Sequence, residues 1–317
     1  MPRIGTSDLH VFPLALGGNV FGWTADEQTS HRVLDAYTGA GGDFVDTADV
    51  YSAWAPGNEG GESERVIGSW LRASGKRDDV VVATKVSQHP QYSGLSAENV
   101  AAAARASLER LGTDHIDLYY AHFDDQDTPL EETVRAFDQL VQEGLVRYTA
   151  ISNYSRPRAE EWIRIAKEHG LALPVAIQPH YNLVTREPYE SDIAPLAAAE
   201  GLGVVPYFAL AAGFLTGKYR TKEDFAGKDR EGQVSGYFSD EGLAVVGALD
   251  EIASGHGVEI ASVALAWLQA RPDVVAPIAS ARNTDQLPAL LASADLELSA
   301  EELRTLDEAS AKVPAAS

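Results

Sequence analysis

The sequence predicts a closed eight-stranded (β/α)8 barrel, the TIM barrel, built as one domain over residues 1–317. Three observations point there. Short runs rich in Val, Ile and Tyr recur about every 30–40 residues, each followed by an Ala/Leu/Glu-rich stretch with helical spacing. The runs lack polar alternation, as strands buried on both faces do. An open, doubly wound sheet should carry a Gly-rich fingerprint after its first strand, whereas the Gly39–Gly42 cluster precedes a strand.

In chain order the expected strands are LALGG at 14–18, GDFVDTA at 42–48, DVVVATKV at 79–86 and HIDLYYAH at 115–122. VRYTAIS at 146–152, PVAIQ at 174–178, LGVVPYF at 202–208 and DVVAPIAS at 273–280 complete the set. The first twelve residues read as a small β-hairpin capping the barrel bottom. Between strands, Ser96 with Asn99 opens an Ala-rich helix running to Leu111, and Thr128-Pro129 opens a helix over 130–143 that closes at Gly144. The interval from Val205 to Val275 is about double the others, and its polar, Gly-rich part at 213–240 predicts a long loop after strand seven. After Leu306 a short Ala-rich tail is expected.

Composition narrows the function classes. The 317 residues are 45% hydrophobic and contain no cysteine, so disulfides, iron–sulfur clusters, Cys-ligated zinc and thiol nucleophiles are excluded. Lys+Arg 25 against Asp+Glu 47 gives a formal charge of −22, which repels phosphate backbones and anionic lipid. Neither nucleic acid nor a membrane is expected as partner. The opening MPRIGTSDLHVFPLALGG lacks the apolar core of a secretory signal, and a cytoplasmic location is expected.

In a barrel of this kind chemistry belongs where strands end. Strand two ends at Asp46 with Tyr51 shortly after, strand three at Lys85, and strand four at His122. Carboxylate, phenol, ammonium and imidazole thus project toward one mouth from three adjacent strands. A phenol with a pKa of about 10 is a poor acid at neutral pH. A nearby ammonium should lower that value, and a carboxylate keeps the ammonium charged and placed. An imidazole beside the phenol can orient a carbonyl oxygen. Tyr51 then serves as proton donor to a developing alkoxide, which needs a hydride source that no side chain supplies. A nicotinamide cofactor is implied. The near-match GFLTGK is not a P-loop, because Gly213 and Gly217 stand one residue too close and Tyr219 replaces the required Ser or Thr. His122 with Asp124, Asp125 and Asp127 reads as a solvated acidic loop, and no metal site is expected.

DTADVY, VVATK, LYYAH, SNYS at 152–155, Gln178, GFLTGK and PIASARNTDQL at 277–287 fall in order along the chain. Together they resemble the aldo-keto reductases. ADVYS…GNEGGESE is most similar to the bacterial branch that includes relatives of potassium-channel beta subunits. The resemblance implies that Asp46, Tyr51, Lys85 and His122 form the catalytic tetrad, with Tyr51 as general acid. It implies that Ser152, Asn153 and Gln178 bind the nicotinamide carboxamide and that Tyr207 stacks on the ring. Leu210, Gly213 and Lys218 would then strap the pyrophosphate. Ser280 and Arg282 would hold the adenosine 2′-phosphate and Gln286 would contact adenine. A fork-shaped Arg282 cation suits a phosphomonoester, which favours NADPH over NADH. Leu290, Phe208-Ala209 and Ser280 depart from common family residues. Trp23, Trp54 and Phe123 would wall an apolar substrate pocket.

The function expected is an NADP-dependent oxidoreductase that reduces aldehydes or ketones to alcohols, reversibly, acting on a small carbonyl compound as a monomer or small homo-oligomer. Two other readings stand beside it. Lys85 at a strand end could form a Schiff base in an aldolase. A nicotinamide-binding regulatory subunit without significant turnover is the third.

Overall fold

A computed structural model describes residues 1–227 and 231–314. Eight parallel strands form one sheet: β1 Ala15–Gly17, β2 Phe44–Asp46, β3 Val81–Val86, β4 Ile116–Ala121, β5 Val146–Ser152, β6 Pro174–Gln178, β7 Gly203–Val204 and β8 Ile278–Ala279. In space each strand lies beside its neighbours in sequence, and β8 pairs in parallel with β1. The ring closes between the β7 and β8 stretches, where Val275 N donates to Val204 O at 2.8 Å and Ile278 N to Pro206 O at 2.9 Å. This is the (β/α)8 fold that the periodicity predicts.

Helices alternate with the strands as expected. Ala97–Leu111 starts at Ser96, whose side chain accepts from Asn99 N, and Leu130–Gln142 stops just before Gly144. The two last strands are shorter than their Val-rich runs suggest, since Pro206 and Pro277 each remove a ladder donor. The expected N-terminal hairpin is reduced to one antiparallel bridge, Arg3 with His10, plus the Ile4 N to Leu9 O bond at 2.9 Å. The long loop after β7 is broken by short helical turns at Ala211–Thr216, Lys222–Asp224, Glu231–Val234 and Ser235–Tyr237, and its residues 228–230 lie outside the described ones. The chain end differs from expectation: a capping box at Ser299 and Glu302 starts a helix, Ala300–Ser310, that continues past Leu306. A two-strand hairpin, Gln88–His89 with Tyr92–Ser93, follows β3 without having been expected. Among the described residues no helix is long and apolar enough to cross a membrane.

Strand alternation decides what faces the barrel interior. Phe44, Ala83, Leu118, Ala150 and Ala176 form an apolar inner layer with Ile4, Leu9 and Val11, which plug the bottom. Two residues further along their strands, on the same face, stand Asp46, Lys85, Tyr120, Ser152 and Gln178. The upper layer of the barrel is therefore polar. The opposite faces, with Val45, Val82, Tyr119, Ile151 and Ile177, pack into the shell of helices.

The bottom plug depends on Gly5, whose φ of +50° suits glycine and whose Cβ, if present, would lie 2.0 Å from Val175 O. Gly5→Ala is expected to cost at least about 1 kcal/mol in urea unfolding.

Candidate active site

At the polar upper layer Lys85 Nζ donates to Asp46 Oδ2 at 2.6 Å, to Thr47 O at 2.7 Å and to the Tyr51 hydroxyl at 3.1 Å. Lys85 is fully buried. Asp46 is anchored from its other side by Gln178 Nε2, which donates to Oδ1 at 3.0 Å. The His122 ring lies 6.2 Å from the Tyr51 ring, edge-on at 72°. Carboxylate, ammonium, phenol and imidazole are thus brought together as the strand ends predict.

Tyr51 sits on a loop whose shape is fixed by hydrogen bonds. Ser52, with φ at 71°, donates from its hydroxyl to Phe21 O at 2.8 Å. Asn58 Nδ2 donates to Ser52 O and to Gly22 O, both at 2.9 Å, tying the loop after β2 to the loop after β1. His122 continues β4, with its N donating to Val86 O at 2.9 Å and its carbonyl accepting from Asn153 Nδ2 at 2.9 Å.

Burial pushes the Tyr51 phenol well above its ordinary value, and the charge of Asp46 acts in the same direction. The sequence-based expectation of a lowered value is reversed. The physical reason is first that the phenol is buried, and second that Asp46, which pairs the lysine charge at 2.6 Å, also stands 3.5 Å from the phenol oxygen. Burial lowers Lys85 below its ordinary value, opposed first by Asp46. Burial, then the Lys85 charge, holds His122 well below its ordinary value, so the imidazole is neutral, and its Nδ1 has no hydrogen-bond partner.

These groups open into a cleft of about 630 Å³. Tyr51, His122, Asn153, Gln178 and Tyr207 form its inner wall. Leu210, Gly213 and Lys218 line it from the segment after β7, and Ser280, Arg282 and Gln286 from the turn after β8. Trp23, Trp54 and Phe123 stand at the loop side. Ser152 does not reach the cleft: it is fully buried, donates to Gln178 O at 2.9 Å and accepts from Asn153 Nδ2 at 3.1 Å. Ser280 donates to Asn19 Oδ1 at 2.6 Å, and Gln286 Oε1 accepts from Arg282 N at 2.8 Å, which shapes that turn. Around the segment after β7, Phe208, Ala211, Ala212 and Gly213 all take positive φ, a strained run for non-glycine residues.

Sequence reasoning missed several contributors. His180 stacks at 5.3 Å and 22° on Tyr207, whose hydroxyl donates to Asn153 Oδ1 at 2.7 Å. The Tyr237 hydroxyl hydrogen-bonds His180 Nε2 at 2.9 Å, so the segment after β7 is pinned to the strand it covers. Asn19 and Asn58 were also missed. His180 follows β6 by two residues and was findable from the strand end. The asparagines lie in loops, where no periodicity assigns a face. The acidic loop after β4 is anchored rather than merely solvated: Asp124 pairs with Arg158 at 2.8 Å, and Asp125 accepts from Leu95 N at 2.7 Å. Among the described residues no group of three or more acidic, His or Cys side chains is placed to hold a metal ion.

A barrel with this polar layer at its mouth defines a class of protein, and comparison with known families agrees. The Aldo/keto reductase family model matches residues 13–311. The chain belongs to the aldo/keto reductase family. Among its relatives, a probable voltage-gated potassium channel subunit beta from Oryza sativa subsp. japonica is 35% identical, covering 90% of this chain and 88% of that protein. Norsolorinic acid reductase from Aspergillus flavus is 31% identical, over 96% of this chain and 79% of its own length. An aryl-alcohol dehydrogenase [NADP(+)] from Phanerodontia chrysosporium is 33% identical, over 95% and 83%.

Two outcomes follow from this geometry. Lys85→Met leaves the buried Asp46 carboxylate without its cation and is expected to cost about 3–5 kcal/mol in urea unfolding, while Asp46→Leu combined with Lys85→Met recovers at least half of that. His122, neutral in the folded state, charges more readily when unfolded. Below its ordinary value near 6.5 the unfolded chain therefore binds the extra proton, and stability rises with pH up to that point and then levels. His122→Gln is expected to flatten the slope between about pH 5 and 6.5.

Proposed function

We propose that the protein is a single-domain NADP-dependent oxidoreductase that reduces aldehydes or ketones to alcohols, reversibly. Tyr51 donates the proton. The observation that carries this reading is the ammonium of Lys85, which meets the Tyr51 oxygen at 3.1 Å while paired with Asp46 at 2.6 Å. Burial keeps the phenol protonated, as an acid must be before it acts. When Tyr51 gives its proton to a substrate alkoxide, the phenolate left behind faces the Lys85 ammonium, which stabilises it in a water-poor setting. Asp46 holds that ammonium in place. Neutral His122 beside the phenol orients the carbonyl oxygen by hydrogen bonding without adding a charge that competes with Lys85.

The cleft residues fit a dinucleotide. Asn153 and Gln178 line the cleft with Tyr207, and with their amide nitrogens engaged by the protein their amide oxygens suit the NH2 of a carboxamide. Ser152 supports Asn153 from behind. The positive-φ run ends at Gly213 beside Lys218 in the cleft lining, and the Gly213 φ of +95° favours glycine there, which suits close approach of a pyrophosphate to the backbone. Leu210 lines the same part of the cleft. Arg282 and Ser280, in a turn shaped by Gln286, suit a 2′-phosphate, which favours NADPH. When bound, the reduced nicotinamide supplies hydride to the carbonyl carbon. The names of the aryl-alcohol dehydrogenase [NADP(+)] and norsolorinic acid reductase relatives agree with such chemistry.

A regulatory role has one specific support, the relative named as a probable channel beta subunit. Turnover separates the two. A Schiff-base aldolase fits poorly, because the Lys85 ammonium donates to three oxygens and keeps no lone pair for attack. Tyr51→Phe is expected to slow carbonyl-dependent NADPH oxidation by about 10²–10⁴-fold, while NADPH still quenches tryptophan fluorescence. Near-native rates in that variant would overturn the reading.

A further inference from the structure

The chemistry at the cleft leaves a buried acid unused. Asp49 stands between Asp46 and Tyr51 in sequence and is fully buried. Neither of its carboxyl oxygens completes a hydrogen bond among the described residues, although the Val50 amide lies near enough to favour the charged form. A carboxylate held this way gives up its hydration and recovers little of it. The backbone of Asp49 ties it to the site. Its N donates to Lys85 O at 3.2 Å, and its O accepts from Gly61 N at 2.6 Å. Two residues earlier, Thr47 O accepts from the Lys85 ammonium at 2.7 Å; two residues later, the Tyr51 hydroxyl accepts at 3.1 Å. Movement of Asp49 therefore reaches both contacts.

The charges around it are already balanced. Glu64, fully buried on the helix Glu62–Ser74, accepts from Thr84 Oγ1 at 2.6 Å and from Arg110 Nε at 2.5 Å. Arg110 belongs to the helix Ala97–Leu111. Lys85 on β3 is paired with Asp46. Tyr119 on β4 brings a buried hydroxyl without a hydrogen-bond partner, on which the Asp49 charge acts. His89, on the hairpin after β3, stands against Gly60, and burial holds it below its ordinary value, so it adds no cation at neutral pH. An ionised Asp49 thus makes a third carboxylate beside two cations. Burial, then Glu64, pushes its carboxyl well above the usual carboxylate range, opposed by Arg110 and Lys85.

We propose that Asp49 is a positioning residue for Tyr51 and acts as a proton switch beneath it. Protonated, it lets the 46–51 stretch lie as described. Ionised, it is drawn toward Lys85 and Arg110 and repelled by Glu64, and the stretch carries the Tyr51 hydroxyl off the ammonium. Turnover is then lost on the alkaline side while the phenol, which burial holds above its ordinary value, still keeps its proton. The kinetic part of this proposal rests on the reductase reading above; the switch itself does not.

The test compares the native protein with Asp49→Asn, which keeps the shape of the protonated acid and stays neutral at every pH. Infrared difference spectra of the two at neutral pH are expected to show the carbonyl stretch of one protonated carboxyl, lost as the pH of the native protein is raised. Tryptophan fluorescence, to which Trp54 beside Tyr51 contributes, should change over the same interval in the native protein and stay level in the variant. With NADPH and 4-nitrobenzaldehyde, native kcat should fall about tenfold per pH unit above that midpoint, KM changing little, while Asp49→Asn holds its kcat across the interval. Glu64→Gln frees Arg110 to offset Asp49 and should lower the infrared midpoint by at least about one pH unit, which keeps the test open if Asp49→Asn does not fold. No protonated carboxyl assignable to Asp49, a midpoint unmoved in Glu64→Gln, or identical pH profiles in native and Asp49→Asn protein would each overturn the proposal. If neither protein oxidises NADPH, the reductase reading fails, and the infrared and fluorescence titrations alone decide the switch.

Discussion

The arrangement of this protein depends on one buried ion pair. Lys85 and Asp46 meet at 2.6 Å inside the barrel, where removing two charges from water is expensive and Coulomb attraction alone does not offset it. The surrounding chain meets the balance with hydrogen bonds. Thr47 supplies a carbonyl and Tyr51 a hydroxyl to the ammonium, and Gln178 an amide to the carboxylate. Thr47 and Tyr51 follow β2, Gln178 ends β6 and Lys85 lies on β3, so the pair is satisfied only when these three strands are brought together.

A period-two rule places these groups. On β2 to β6 the inward position near the lower end of the strand is apolar, and the next inward position is polar. The same strands therefore carry a hydrophobic floor and a charged ceiling. The helices see neither, since they pack on the outward residues. Precision at the ceiling then comes from loops that are held by side-chain amides and hydroxyls, with local backbone strain at Ser52, Asn153 and the 208–213 stretch. Strain of this kind persists where surrounding contacts over-determine the backbone. Here the contacts are those of Ser52 with Phe21, Asn153 with Tyr207 and Asn182 Nδ2 with Phe208 O at 2.9 Å.

Much of this was legible in the sequence because burial on both faces leaves a recurring mark. Runs such as VVATKV and IDLYYA show where strands lie, and their last inward residues, Lys85 and the His122 that follows, show what reaches the mouth. Charge relations were harder. The direction of the Tyr51 shift follows first from burial of the phenol and then from the closeness of Asp46, which are matters of packing and distance and not of composition. The family resemblance implies a carboxamide contact for Ser152, yet the neighbouring Asn153, with φ at 56°, lines the cleft in its place. His180, Tyr237, Asn19 and Asn58 act through long-range contacts between loops, and no spacing rule brings residues 57 apart, such as His180 and Tyr237, into contact.

Asn58 has a consequence for how the mouth can be reshaped. Its amide grips Gly22 O and Ser52 O at once, so the tryptophan-bearing turns after the first two strands are tied into a single plate. Grafting either turn alone from a relative would cut that plate in two. Redesign of this rim therefore has to exchange both segments together, or keep the asparagine and both carbonyls as a fixed hinge pin.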